Sequence, residues 1–149
     1  MNSESPSILL VEDNSNDVML IRRALGKLGI SAVLHIATDG DSAVRYLGGE
    51  GEFSDREAHP LPGLVLLDLK LPRRSGFEVI EWLRSQPGLR RLPVVVLSSS
   101  EQPADIARAY EAGANSYVVK PVRFDALLEI LRAVHAYWFR FNVPAEQPQ

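Results

Sequence analysis

A small set of polar residues stands at the ends of short apolar runs. Glu12 and Asp13 follow Ile8-Leu9-Leu10-Val11. Asp68 follows Leu64-Val65-Leu66-Leu67, Ser98 follows Val94-Val95-Val96-Leu97, and Lys120 follows Tyr117-Val118-Val119. Brought together, they would offer three carboxylates, a hydroxyl and an amine. Packed carboxylates repel, so they hold protons or recruit a cation. Oxygen ligands without soft donors suit Mg²⁺ or a similar hard ion. A metal-bound carboxylate beside an ammonium suits phosphoryl transfer. The carboxylate attacks phosphorus and becomes an acyl phosphate. The cations offset the charge on the phosphoryl oxygens, and a hydroxyl can donate to one of them. Asp68 is the candidate nucleophile. Lys120 stands out because the chain has only Lys27 and Lys70 besides it.

The elements that must position these residues are legible as patterns. Continuous apolar runs predict strands covered on both faces, as in a parallel sheet. A weaker run, Val33 to Ala37, is interrupted by His35 and suits an edge strand. Val18, Ile21, Leu25 and Leu28 recur at helical spacing, and Gly29 follows as a C-terminal cap. A short second helix covers Asp41 to Leu47. Ser75 caps a third carrying Phe77, Ile80 and Leu83. Pro103 starts a fourth that Gly113 ends. Phe124, Leu127, Leu131, Val134 and Trp138 mark a long fifth helix. Strand-then-helix units in succession predict a doubly wound five-stranded parallel α/β sheet with right-handed crossovers. In such sheets ligands bind at the carboxyl ends of the strands, where the polar set collects. The segment 48–63 reads as an extended loop before the third strand.

Length and composition set the outer bounds. The 149 residues make one domain, with a core at about 6–141 and a polar tail at 142–149. With 46% hydrophobic residues a full core can form. A net charge of −3 argues against a dedicated nucleic-acid binder. The absence of cysteine excludes disulfides, thiol catalysis and thiolate metal sites. No signal-peptide pattern opens the chain, and no apolar run approaches the roughly 20 residues of a membrane helix. The expected location is the cytoplasm, without membrane or nucleic-acid partners.

The motifs Ile8-Leu-Leu-Val-Glu-Asp-Asn14, Leu66-Leu-Asp-Leu-Lys-Leu-Pro72 and Ser116-Tyr-Val-Val-Lys-Pro121 resemble, in order and spacing, the signatures of response-regulator receiver domains. The resemblance covers roughly residues 6 to 135. It implies the 2-1-3-4-5 sheet order. It also implies that a histidine kinase phosphorylates Asp68, with Mg²⁺ held by Asp13, by Glu12 through water, by Asp68 and by the Lys70 carbonyl. Lys120 would contact the phosphoryl group. Ser98 and Tyr117 would shift together as a switch, and the Lys120–Pro121 peptide would be cis. The chain would catalyse only its own phosphorylation and dephosphorylation. The stretch Tyr46-Leu-Gly-Gly-Glu-Gly-Glu-Phe-Ser-Asp-Arg56, the Pro60-Leu-Pro62 segment and the ending Tyr137-Trp-Phe-Arg-Phe-Asn142 resemble a narrower subgroup. These are the stand-alone receivers associated with cyanobacterial and bacterial phytochromes, which points to a phytochrome kinase as donor.

Rival readings are weaker. A haloacid-dehalogenase-type phosphatase places its nucleophile after the first strand, in an Asp-x-Asp pattern that Asp68-Leu-Lys-Leu lacks. A degenerate receiver acting only as a binding module would be expected to lack some of the acidic, hydroxyl or lysine positions. A flavodoxin-like cofactor binder would need a phosphate-cradling loop where the chain has Glu12-Asp13-Asn14. His35, His59 and His135 read as structural or solvated, Arg73-Arg74 and Arg90-Arg91 as solvated faces, and Ser99-Ser100 as mostly plain polar loop. The fifth helix has a second apolar side formed by Ala126, Ile130, Ala133, Tyr137 and Phe141. Either the aromatic ending folds back over its own domain, or a homodimer forms through the fourth helix, fifth strand, fifth helix and C-terminal segment. The second reading is favoured, because the cluster is more than a monomer needs to expose.

Overall fold

A computed structural model describes residues 6–145. The expected polar tail therefore lies partly outside the described residues. The elements run β1 (Ser7–Val11), α1 (Ser15–Lys27), β2 (Val33–Ala37), α2 (Gly40–Gly48), β3 (Leu64–Leu67), α3 (Gly76–Ser85), β4 (Val94–Ser98), α4 (Pro103–Ala112), β5 (Ser116–Val119) and α5 (Phe124–Ala136). All strands are parallel, in the order β2-β1-β3-β4-β5.

The uninterrupted apolar strands are explained by the two layers they face. Leu9, Val11, Val65, Leu67, Val94 and Val96 point to the side covered by α2, α3 and α4, where Val44, Leu47, Ile80, Leu83 and Ala109 are buried. Ile8, Leu10, Leu64, Leu66, Val95 and Leu97 point to the side covered by α1 and α5, with Ile21, Leu25, Leu127 and Leu131. Alternation along β1, β3 and β4 thus demands apolar residues on both faces. Each fully buried leucine contributes about 2 kcal/mol relative to exposure. β2 and β5 lie at the sheet edges; β2 has the expected mixed sequence, whereas β5 is not covered on both faces as its apolar run suggests, and Val119 is exposed.

The helix ends follow their sequence signals. The Ser75 hydroxyl accepts the Glu78 amide while the Glu78 carboxylate accepts the Ser75 amide, a reciprocal capping box on α3. Pro103 opens α4, and Gly113 closes it at φ 119°, a conformation that disfavours a side chain. Arg84, on α3, ties three segments together. Its guanidinium donates to the carbonyls of Gly113, Arg90 and Leu92 and to the side-chain oxygen of Asn115. Arg56 organises the 48–63 loop, donating to the Tyr46, Leu47 and His59 carbonyls around the end of α2. That loop includes a short 3₁₀ turn, Gly51–Phe53.

Three expectations are corrected. No cis peptide occurs among the described residues, so Lys120–Pro121 is trans, the form X-Pro bonds favour by roughly 0.5–1 kcal/mol. Arg74 does more than present a solvated face, pairing with Asp41 at 3.2 Å between the β3–α3 loop and α2, whereas Arg73 stays 68% exposed beside Asp39. The aromatic ending divides. Trp138 and Phe139 pack on the core of their own domain, whereas Tyr137 and Phe141 remain 53% and 67% exposed. The segment Tyr137–Phe141 is a π-helical turn, closed by the Asn142 amide donating to the Tyr137 carbonyl. Of the remaining second-face residues, Ala126 and Ile130 are half-buried and Ala133 is exposed.

Candidate functional site

Backbone hydrogen bonding carries past the ends of the strands and sets the site residues at the sheet edge. The Glu12 amide donates to the Ala37 carbonyl, the Asp68 amide to the Val11 carbonyl and the Lys120 amide to the Ser98 carbonyl. Glu12, Asp68 and Lys120 are thus each the first residue beyond β1, β3 and β5. Their side chains emerge together where the core ends.

Lys120 is the hub. Its Nζ lies 2.8 Å from Glu12 Oε1, 2.8 Å from Asp17 Oδ2 and 3.1 Å from Asp68 Oδ2. An ammonium has three N–H donors, and here each has a carboxylate within reach. Burial alone would lower the Lys120 pKa. The hydrogen bonds to Asp17 and Glu12 and the charge of Asp68 outweigh it and hold the amine protonated above its ordinary value. Glu12 is pushed the other way. Its burial raises its carboxyl pKa above the usual range, and the Asp68 charge adds to this, against the lowering effect of the Lys120 hydrogen bond. The second Glu12 oxygen accepts the Asn14 amide at 3.2 Å. Asp68 Oδ1 accepts the Leu69 amide at 2.7 Å, which fixes the carboxylate plane.

Glu12, Asp13 and Asp68 each present a carboxylate oxygen, all within 4.8 Å of one another. Glu12 and Asp68 are buried and Asp13 is exposed, so the cluster has a closed floor and an open side. Four carboxylates, counting Asp17, face one ammonium. The excess negative charge and the all-oxygen donor set fit a hard divalent cation. Lys70 stands exposed in the loop after β3.

Ser98, at the end of β4, is almost fully buried, and its hydroxyl oxygen accepts the Ser100 amide at 3.1 Å. Ser100 is not the plain loop residue expected. It is buried, its hydroxyl donates to Asp105 at 2.6 Å, and its carbonyl accepts the Tyr117 hydroxyl at 2.8 Å. The structure therefore brings Glu12, Asp13 and Asp68 together around Lys120, and connects Ser98 to Tyr117 through Ser100.

Two contributors escaped the sequence reading. Asp17 sits in the first turn of α1, held there because the Asn14 side chain caps the helix by accepting the Asp17 amide at 3.0 Å. A helix that starts at the carboxyl edge of the sheet places its first turn beside the site, and that was the available signal. Gly76 is the other: a Cβ there would meet the Asp68 carbonyl and stand 2.7 Å from Leu69 Cα.

Comparison with known proteins agrees with this geometry. Residues 8–132 match the family model described as the response regulator receiver domain. The chain is 38% identical over 143 residues to the probable methanogenesis regulatory protein FilR2 of Methanothrix harundinacea, covering 95% of this chain and 90% of that protein. It is 37% identical over 131 residues to the response regulator Rcp1 of Synechocystis sp., covering 88% and 87%. The Mn²⁺-bound form of Rcp1 superposes with a TM-score of 0.82 at 34% identity, covering 94% and 99%. The phosphorylated cyanobacterial phytochrome response regulator RcpA superposes with a TM-score of 0.88 at 35% identity, covering 96% and 100%.

Proposed function

Since the chain belongs to the response regulator receiver domain family, we propose that it accepts a phosphoryl group on Asp68 from a histidine kinase. The observation that carries this reading is the position of Asp68: one oxygen 3.1 Å from the Lys120 ammonium, within a cluster that also holds Glu12 and Asp13. Asp68 attacks phosphorus in line, the P–N bond of the phosphohistidine breaks, and the imidazole leaves with the bonding electrons and takes up a proton. The product is an acyl phosphate.

Glu12, Asp13, Asp68 and the Lys70 carbonyl would hold Mg²⁺, which when bound neutralises the phosphoryl oxygens. Lys120 donates to one phosphoryl oxygen and Ser98 to another. Ser98 and Tyr117 then shift as the switch, biasing a two-state equilibrium of the α4–β5–α5 face. On this reading the chain is no conventional enzyme: it catalyses only gain and loss of its own phosphoryl group. The Mn²⁺-bound state of Rcp1 and the phosphorylated state of RcpA support metal and phosphoryl binding here by similarity.

Similarity to RcpA, a phytochrome response regulator, supports a phytochrome histidine kinase as donor, met in the cytoplasm. No helix of the described residues is long and apolar enough to cross a membrane. We further propose that residues 1–149 act as a single receiver unit, and that Tyr137 and Phe141, with α4, β5 and α5, form a homodimer contact. A sedimentation mass of one chain at micromolar concentration, with and without phosphorylation, would remove the dimer.

The test of the acceptor is intact-mass spectrometry after incubation with Mg²⁺ and phosphoramidate, on wild type and Asp68→Asn in parallel. One phosphoryl addition on wild type alone, lost on chelation, is the expected result. Equal labelling of the variant would place the acceptor elsewhere.

A further inference from the structure

We infer that Asp17 is a positioning residue for Lys120: it anchors the ammonium from the α1 side so that one N–H stays directed at the acceptor carboxylate during phosphoryl transfer. The inference rests on the reading of Asp68 as the phosphoryl acceptor and extends it to a residue outside the metal cluster.

A lysine side chain has four rotatable bonds and carries about 2 kcal/mol of rotamer entropy, so its ammonium must be held by neighbours. Packing holds it poorly on one side. A cavity of about 150 Å³ lies alongside Lys120, lined by Leu20, Ile21, Leu97, Pro121 and Asp17 among others. Its walls are largely apolar, and Asp17 carries the one carboxylate among the residues that line it.

The three carboxylates around Nζ are not equivalent. Glu12 and Asp68 belong to the group whose oxygens converge within 4.8 Å, together with Asp13. A cation bound by that group competes with Lys120 for their lone pairs, and an incoming phosphoryl group consumes one Asp68 oxygen. Asp17 lies outside the cluster. Its oxygen lies 2.8 Å from Nζ, and neither the cation nor the phosphoryl group competes for it directly.

The anchor is itself anchored. The Asp17 amide is fixed by the Asn14 cap, and Asn14 donates its own amide to Glu12. Asp17 therefore moves with the β1–α1 corner that also carries Glu12 and Asp13, so metal ligands and lysine anchor keep one mutual geometry. A loosely held donor loses much of its worth in a transition state, where misplacement by about 1 Å can cost on the order of 100-fold.

The test combines a double-mutant cycle with a direct view of the ammonium. Phosphorylation by phosphoramidate at saturating Mg²⁺ is measured for wild type, Asp17→Asn, Asp17→Glu, Lys120→Ala and Asp17→Asn combined with Lys120→Ala. Asp17→Asn should slow the maximal rate roughly tenfold, with divalent-metal affinity changed less than about threefold. Asp17→Glu should recover most of the rate. In the Lys120→Ala background, Asp17→Asn should have no further effect. A wild-type rate in Asp17→Asn, an equal slowing with and without Lys120, or a loss of metal affinity that accounts for the slowing would each overturn the inference.

Nitrogen NMR of the lysine side chains supplies the second readout. Lys27 and Lys70 are exposed, so Lys120 should give the one slowly exchanging ammonium signal, lost in Asp17→Asn. An unchanged signal in that variant overturns the inference. If wild type takes no phosphoryl group at all, the acceptor reading fails, and the ammonium signal still reports separately whether Asp17 holds Lys120.

Discussion

The Tyr117 hydroxyl donates to the Ser100 carbonyl across 2.8 Å, joining strand β5 to the loop that leaves the site. Ser100 also donates its amide to the Ser98 hydroxyl and its own hydroxyl to Asp105 on α4. A Ser98 hydroxyl drawn toward a new acceptor at Asp68 would give up the Ser100 amide, and Ser100 holds both Tyr117 and α4. Tyr117→Phe deletes the first link without changing the ring. It should cost about 1 kcal/mol in urea unfolding. Amide shift changes on phosphorylation should then stay near Asp68 instead of reaching α4. Propagation as in wild type would remove Tyr117 from the switch.

Metal binding should be visible as stability. A cation that binds only the folded chain stabilises it by about 2.7 kcal/mol when present at 100 times its dissociation constant. Asp13 is the exposed member of the acidic cluster and repels the two buried ones. Asp13→Asn should therefore abolish the rise in melting temperature caused by Mg²⁺, while the metal-free protein melts at the same or a slightly higher temperature. A full Mg²⁺ response in Asp13→Asn would move the site away from this cluster.

The sequence carried most of this architecture because two physical constraints leave strong marks. Strands covered on both faces cannot alternate, so β1, β3 and β4 read as solid apolar blocks. The first residue beyond each block is set at the carboxyl edge, and Glu12, Asp68 and Lys120 therefore fall into the site by their place in the sequence alone. Asp17 left no comparable mark. It sits among Asn14, Ser15 and Asn16, where a polar helix start needs no further explanation. The division of Trp138 from Tyr137 and Phe141 was legible, because Trp138 continues the Leu127, Leu131 and Val134 side of α5 and the other two continue the second side; Phe139, inside the π-helical turn, had no assigned side. The role of Ser100 was hidden for another reason: a serine that bridges two elements is chemically identical to one in a loop.

Acid should destabilise the fold through histidine. Burial, and the proximity of His59, lower the pKa of His35 below its ordinary 6.5. Burial, and the nearby Arg140, do the same to His135. The unfolded chain then binds more protons than the folded one between the two pKa values. Stability is fully present above about pH 6.5 and is lost as pH falls through the folded values. Glu12, whose pKa is raised, contributes with the opposite sign, so a comparison with a variant is needed. His35 Nε2 is buried without a partner, and its ring lies 5.6 Å from that of Tyr46. His35→Phe keeps an aromatic ring and removes the titration. The variant should gain stability over wild type in urea unfolding, and gain more at pH 5.5 than at pH 7.5. An equal change at both values would assign the acid sensitivity to other groups.

Gly76 links packing to chemistry most directly. It is the first residue of α3, and its amide donates to the Leu69 carbonyl at 2.9 Å. A Cβ at this position would meet backbone on both counts, the Asp68 carbonyl and Leu69 Cα. Neither can yield as the tip of a flexible side chain could. Either α3 lifts from the end of β3, or the segment carrying the Asp68 carboxylate moves. Gly76→Ala should cost about 1–3 kcal/mol, the range for forcing extra volume into a packed site. It should also slow phosphorylation of the protein that remains folded, because the acceptor is displaced relative to Lys120. Gly26 supplies the control. It lies in α1 with nothing within 4 Å of its would-be Cβ, so Gly26→Ala should stabilise the protein by about 0.5–1 kcal/mol and leave phosphorylation unchanged. Urea unfolding and phosphoramidate kinetics on the two variants check both halves. If Gly76→Ala phosphorylates at the wild-type rate, the close contact between α3 and the end of β3 does not set the position of the acceptor.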